Sequence, residues 1–420
     1  VGPLPVDEEK PGRRCRGNPW ARAARAARTA ESLPLKLVFY LHDRVAMRGV
    51  MVCAAAVVIA GCGASGDPYR DCRDPRQIVA PSSSGEPGTV LAGSLFSYIQ
   101  DGAIAARPDG SIVCLTCSGA VVLDRMEPQP DVVGAPFAVA PDGSIYVHTF
   151  GAVVALAPSG EQRWVAPITG APGRLVARAE GAYLNALQLR GPREELVILG
   201  FDAATGAQRV VATGQDLLGA VAGGILAVEN QRSKSVTLNQ LDPAGQVVWS
   251  HTLTSTDTGL EIKGAAASPD GGAVVFGTTP KALDLGDRTL PSLVEDRIFI
   301  ATFDAAGATV GAFIDDQIYV RYLAVTTRGE IALATYYDHA VGVGDSESVL
   351  ATATPDGIQR TIHIDGPGSQ SVQAIAAAPD GAVWIQINQP PSEDGWPDPE
   401  MQLGDRTFSE TGIYLFKLAI

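Results

Sequence analysis

A Pro-Asp-Gly turn between short runs of small and β-branched residues recurs along most of this chain, and it constrains the fold more than any other feature. It reads RPDG at Asp109-Gly110, APDG at Asp142-Gly143, SPDG at Asp270-Gly271 and APDG at Asp380-Gly381. Degenerate copies stand at Gly181, Gly224 and Gly329. Proline presets φ, aspartate caps the turn locally and glycine supplies positive φ, the needs of a tight connection between two strands. A second turn ending in glycine alternates with the first, at Gly119, Gly160, Gly206, Gly245, Gly307 and Gly357.

Successive copies of the first turn lie 33 to 58 residues apart, and helical periodicity is nearly absent between them. Seven first turns and six second turns imply repeats of four strands each. Repeated four-stranded sheets are explained most economically by a propeller, so the expected fold is all-β, a β-propeller of about seven four-stranded blades. The chain ends in GIYLFKLAI at Ile420, where the last repeat still needs its outermost strand. A segment near Gly88–Ile99 is expected to supply that strand and close the ring, removing an exposed sheet edge.

The residues carry a family resemblance. DAATG at Asp202–Gly206 resembles the repeat turn of quinoprotein-type (PQQ-like) propellers. In that family an aromatic four residues after the glycine packs between blades. Trp164 follows Gly160 by four and Trp249 follows Gly245 by four, whereas Leu123, Val210, Gly311 and Thr361 take the place elsewhere. The later repeats also resemble secreted β-propeller lipoproteins of soil bacteria. ALDLGDRTL (Ala282–Leu290) and MQLGDRTF (Met401–Phe408) share LGDRT, with Gly344-Asp345 as a shortened counterpart. Active quinoproteins hold their cofactor against adjacent cysteines; no Cys-Cys pair occurs here, so no cofactor is expected.

The N-terminal region speaks to address. Met47-Arg48-Gly49 precedes an apolar run from Val50 to Ile59, the layout of a secretory signal. Ile59, Ala60, Gly61 and Cys62 resemble a bacterial lipobox. That resemblance implies acylation of Cys62, cleavage before it and a lipid anchor, which two or more acyl chains make lasting. An ordinary signal peptide with an incidental cysteine is the alternative. Gly63 stands where inner-membrane retention would place Asp, which implies an outer membrane lipoprotein, periplasmic or surface-facing, of a Gram-negative bacterium. Residues 1–46 are rich in Arg, Ala and Pro and read as upstream sequence translated in error, disordered and outside the fold; a basic arm is the alternative. The expected organisation is a leader over 1–46, a signal peptide over 47–61, a flexible tether over 62–87 and the propeller over 88–420.

Charge limits the partners. The chain has a formal net charge of −14, and its 61 N-terminal residues carry 10 basic against 5 acidic side chains. The remainder is more acidic still, which excludes nucleic acid as a partner, because phosphate binding needs clustered Lys and Arg. Cys114 and Cys117 form a CxxC. A redox pair or half a zinc site is conceivable, but no second pair or nearby histidines are visible in sequence. The expectation is a local disulfide, or one thiol paired with Cys72.

Further chemistry is sparse. His148, His251, His339 and His363 fall singly in different repeats, and Asp287, Asp345 and Asp405 read as turn formers before calcium ligands. Trp164, Trp249 and Trp384 are expected to fill blade interfaces. The acidic insertion Asn388–Gln402, with Glu393, Asp394 and Trp396, is not needed for a blade and is the candidate binding loop. The expected function is a non-catalytic lipid-anchored scaffold for an envelope protein or polysaccharide, held to the membrane through Cys62. The barrel-assembly lipoprotein of the outer membrane is similar at the level of fold. The alternative is a hydrolase or lyase with a central-channel site.

Overall fold

A computed structural model describes residues 76–79, 90–96, 104–116, 119–122, 137–149, 151–190, 193–291, 297–315, 318–337, 347–365, 370–389, 400–403, 406–410 and 412–420. Among these residues the regular elements are all strands, paired antiparallel into seven sheets. Sheet I comprises Ile104–Ala106, Ile112–Thr116 and Gly119–Val122. Sheet II runs Phe137–Val139, Ile145–Thr149, Ala152–Leu156 and Gln162–Pro167, and sheet III runs Ala171–Arg178, Gly181–Arg190, Arg193–Asp202 and Gln208–Thr213. Sheet IV is Asp216–Val221, Gly224–Glu229, Ser235–Leu241 and Val247–Ser255; sheet V is Glu261–Ala267, Ala273–Thr279, Arg297–Phe303 and Thr309–Asp315. Sheet VI is Ile318–Val325, Ile331–Tyr337, Glu347–Thr354 and Gly357–Asp365. Sheet VII begins Ser371–Ala377, Val383–Gln389 and Gly412–Leu418, then takes Val90–Phe96 and Arg76–Val79 from the other end of the sequence.

The first strand of each sheet packs beside the first strand of the next, and that of sheet VII packs beside that of sheet I. Sheets arranged radially behind a ring of first strands make a β-propeller. Six of the sheets hold four or more strands and are complete blades; sheet I has three among the described residues.

Eight copies of the two recurring turns share one geometry, whereas Gly181, Gly224 and Gly357 follow two-residue turns as the first residue of the next strand and the Gly206 turn is one residue longer. In the first, the Ala140 amide donates to the Ser144 carbonyl at 2.8 Å and the Gly143 amide to the Ala140 carbonyl at 2.9 Å. In the second, Asp304 donates to Ala308 at 2.9 Å and Gly307 to Asp304 at 3.0 Å. Gly143 and Gly307 both sit at φ +83°, where an L side chain is strained. This is a type I turn with a left-handed glycine closing the hairpin. Gly119 departs from expectation. It stands between the second and third strands of sheet I, paired opposite Thr116, so it is not a second-type turn and Leu123 is not the counterpart of Trp164.

The aspartates of these turns are held as carboxylates. Thr205 donates through hydroxyl and amide to Asp202, and the Ser268 hydroxyl and Gly272 amide to Asp270, so both pKa values fall below the ordinary carboxylate range. For Asp142 and Asp380 burial acts to raise the pKa, but Ser144 with Arg163, and Lys417 with the Ala382 amide, outweigh it. A carboxyl group whose pKa is lower folded than unfolded stabilises the fold above the unfolded value, about 4, and loses that contribution as pH falls through the folded value. The urea midpoint is therefore expected to drop as pH falls below about 4. An Asp202→Asn/Asp270→Asn/Asp380→Asn variant should show a shallower drop than the natural chain; parallel curves would refute the assignment.

Blade interfaces are filled by size matching. Trp164, on the outer strand of sheet II, stacks on Phe201 of sheet III at 6.3 Å and donates its indole N–H to the Ala203 carbonyl at 3.0 Å. A Cβ added to Gly206 would meet that indole at 2.7 Å. Trp249 of sheet IV repeats the stacking, though not the indole hydrogen bond, against sheet V, lying on Phe303 at 6.0 Å with Gly307 allowing no Cβ beneath it. Where the tryptophan gives way to Gly311, the next turn compensates: Pro355 lies 2.4 Å from where a Cβ of Gly311 would be. Trp384 is buried in the cluster that joins sheet VII to Ile104 and Ile112 of sheet I.

The LGDRT segments prove structural. Leu283–Asp284 and Thr289–Leu290 form a hairpin within the connection between the second and third strands of sheet V. It pairs with the outer strand of sheet IV, Thr254 opposite Asp284 and Ser255 opposite Leu283. Met401–Leu403 and Arg406–Phe408, from the matching connection of sheet VII, pair in the same way with the outer strand of sheet VI. Leu283, Leu285, Met401 and Leu403 are fully buried, so each hairpin clasps the preceding blade through apolar contacts as well as hydrogen bonds.

Candidate functional site

Several residues singled out from sequence lie outside the described residues: Ile59, Ala60, Gly61, Cys62, Cys72, Cys117, Glu393, Asp394, Trp396, His339, Asp345 and Asp405. Cys114 is in the second strand of sheet I, opposite Ile104 and Val121. His148, His251 and His363 lie in sheets II, IV and VI and are not brought together. His251 is engaged structurally, its Nε2 2.8 Å from the Leu285 carbonyl of the hairpin clasp and its ring edge-on to Phe303 at 4.8 Å. Asp287 pairs with its neighbour Arg288 at 3.6 Å in the clasp turn. Among the described residues no three His, Cys, Asp or Glu side chains converge as a metal ion would require.

The structure instead brings together residues that the sequence reading passed over. Five of the first strands carry a β-bulge. The irregularity falls at Gly173-Arg174 in sheet III, Leu218 in IV, Lys263 in V, Arg321 in VI and Gln373 in VII. In four of these sheets it lies four residue pairs from the first turn, and in sheet IV three pairs. The bulges therefore form a level around the axis. In a radial sheet, side chains of the innermost strand face the neighbouring blades and its outer backbone edge faces the channel. A bulge breaks that alternation and re-aims its extra side chain.

Arg174 fixes the level physically. Its Nη1 donates to the Leu218 carbonyl and its Nη2 to the Lys263 carbonyl at 2.8 Å, so one side chain from sheet III reaches the bulges of sheets IV and V. Solvent reaches Arg174, yet protein surrounds most of its guanidinium; this burial pulls its pKa down, and the charge of Asp216 acts in the opposite direction. Asp216 is held in turn by Asn185, whose Nδ2 donates to it at 2.9 Å. Lys263 and Arg321 are exposed although they belong to first strands, as residues lining a solvent-filled channel are. A signal was present in the sequence: Lys263, Arg321 and Gln373 each stand eight residues before the glycine of the first turn that follows, Gly271, Gly329 and Gly381.

Neither a family model nor a curated protein matches the chain. Among solved structures, it is similar to BamB from Moraxella catarrhalis, with 15% identity over 79% of this chain and 99% of that one at a TM-score of 0.42. An oligogalacturonate lyase in complex with manganese shares 12% identity over 82% of this chain and 98% of that one, TM-score 0.44. Kluyveromyces lactis Hsv2 shares 11% identity over 74% of this chain and 99% of that one, TM-score 0.46.

Proposed function

We propose that this chain is a lipid-anchored envelope protein whose propeller serves as a rigid binding scaffold for a protein or a polysaccharide. In this reading Cys62 carries the lipid, residues 62–87 are the tether and Cys114 with Cys117 forms a local disulfide. The ring has seven blades, sheet I among them, and Val90–Phe96 closes it. The protein sits in the outer membrane.

The observation that carries the scaffold reading is the contrast between the two ends of the sheets. At one end the first and second turns are short hairpins. At the other, where the second strand passes to the third, the intervals between Thr279 and Arg297, Tyr337 and Glu347, and Gln389 and Gly412 are long. Recognition concentrates on long loops carried by a rigid frame. The last interval includes Glu393, Asp394 and Trp396.

The anchor is tested directly. With its signal retained, the protein is expected to fractionate with outer membranes and to incorporate labelled palmitate, whereas Cys62→Ser abolishes the label and releases the chain from the membrane fraction. An unlabelled natural protein would remove the anchor from the proposal. The binding face is tested by capture from solubilised envelope with and without residues 390–399. A ligand retained equally by both forms would move recognition away from that interval.

A further inference from the structure

We propose that the ring of bulges is an anion-binding site, in which Arg174, Lys263 and Arg321 receive the carboxylate or phosphate oxygens of a small ligand entering the central channel. The bulges lie two or three residue pairs from the long-loop end of the first strands, and the site does not depend on the lipid anchor.

Three observations converge on it. The first is local charge. The first strands carry Arg174, Lys263 and Arg321, besides an Arg178 that pairs with Glu180 at the turn end, against Asp216 and Glu261, the reverse of a chain whose formal net charge is −14. Both acids are already engaged, Asp216 by Asn185 at 2.9 Å and Glu261 by Arg232 at 3.0 Å. They do not neutralise Lys263, which has no ion-pair partner among the described residues.

The second is placement. An exposed surface lysine needs no explanation, but Arg174, Lys263 and Arg321 stand at one register of the innermost strands of sheets III, V and VI, and the Arg174 guanidinium reaches the Lys263 carbonyl. An anion received there would lower the positive potential that these side chains set up. A channel walled by low-dielectric protein also focuses that potential.

The third is preorganisation. Arg174 is not a swinging surface chain, because two bonds to the Leu218 and Lys263 carbonyls hold its guanidinium across the bulges of the next two blades. A planar cation held in place is the donor suited to oxyanions. Gln373 stands at the same register, but its Nε2 is already committed to the Ser371 hydroxyl at 2.6 Å.

The test is titration calorimetry on the full chain at low salt, with citrate, inorganic phosphate and glucose as probes. Citrate or phosphate is expected to bind with one site per chain, and glucose to give no heat. Lys263→Gln/Arg321→Gln is expected to weaken binding by at least about tenfold, because two charge-assisted contacts are lost. Arg406→Gln, on the exposed clasp strand, should leave it unchanged. If the double variant fails to keep the natural melting temperature, Lys263→Gln alone replaces it, with a loss of severalfold expected. No anion heat in the natural protein, or equal affinity in Lys263→Gln and the natural chain, overturns the site. Tight binding of phosphate and citrate alike marks a general oxyanion site; binding of citrate alone narrows it to carboxylates, and both outcomes support it.

Discussion

A chain beginning at Gly102, and so lacking Arg76–Val79 and Val90–Phe96, is expected to lose the cooperative unfolding of the full protein and to elute as aggregate. Val90–Phe96 lies antiparallel along Gly412–Leu418, from Val90 opposite Leu418 to Phe96 opposite Ile413. It is the fourth strand of sheet VII although its residues precede every other blade in sequence. Without it Gly412–Leu418 becomes an edge, and edges with unpaired amides recruit other chains. The apolar side chains on that strand, Tyr414, Phe416 and Leu418, are all at most 1% exposed and belong to the cluster that also holds Val90. Each lost hydrogen bond contributes about 1 kcal/mol net, and a domain's stability totals only about 5–15 kcal/mol, so stripping a strand removes a large fraction of it. Light scattering after gel filtration and a urea titration read the effect. A peptide spanning Gly88–Ile99 should restore the monomer in trans by adding a strand to the vacant edge. A truncated chain that stays monomeric with an unchanged urea midpoint would show that the ring closes by other means.

The second large effect concerns the blade interfaces. Trp249→Ala is expected to destabilise the protein by about 3–5 kcal/mol, as large-to-small core changes at aromatics do. The less obvious result is for Gly311→Trp. That change brings sheet V closer to the repeat pattern set by Trp164 and Trp249, and a pattern-based argument would expect it to stabilise. The structure predicts the reverse, because Pro355 occupies the space and a Cβ at Gly311 would already meet it at 2.4 Å. Overpacking of this kind costs about 1–3 kcal/mol or more. Gly311→Trp/Pro355→Gly should recover part of the loss, the two positions being coupled by direct contact. Thermal melts of the two singles and the double form the cycle. Additive effects would mean that Pro355 and residue 311 do not share the interface in solution.

These two cases also show how far the sequence was legible. Turns were easy to place, because a left-handed glycine after Pro-Asp is demanded by backbone geometry and nearly nothing else supplies it. The interface role of Trp164 and Trp249 was visible for a similar reason, large aromatics four residues after such a turn, whereas Trp384 follows Gly381 by three on a second strand and was marked by its size alone. Gly119 was misassigned because a glycine-ended hairpin looks alike whether it joins strands two and three or three and four. The bulge residues were missed because a bulge inserts one residue into an alternating run and leaves composition unchanged; only the constant offset of Lys263, Arg321 and Gln373 from Gly271, Gly329 and Gly381 marked them. The shared LGDRT was recognised as a repeat, but pairing with the preceding sheet depends on which outer strand lies near in space, and local sequence does not encode that.

The clasping hairpins have a consequence for how such a ring changes over generations. A blade that stood alone might be copied, removed or exchanged by recombination at its own boundaries. Here the hairpin that covers the rim of sheet IV is written inside sheet V, and the one for sheet VI inside sheet VII. A crossover between sheets IV and V would strand each partner, leaving one rim bare and one hairpin with nothing to grip. Inheritance should therefore move these blades in adjoining pairs, and insertions are tolerated most readily between pairs rather than within them.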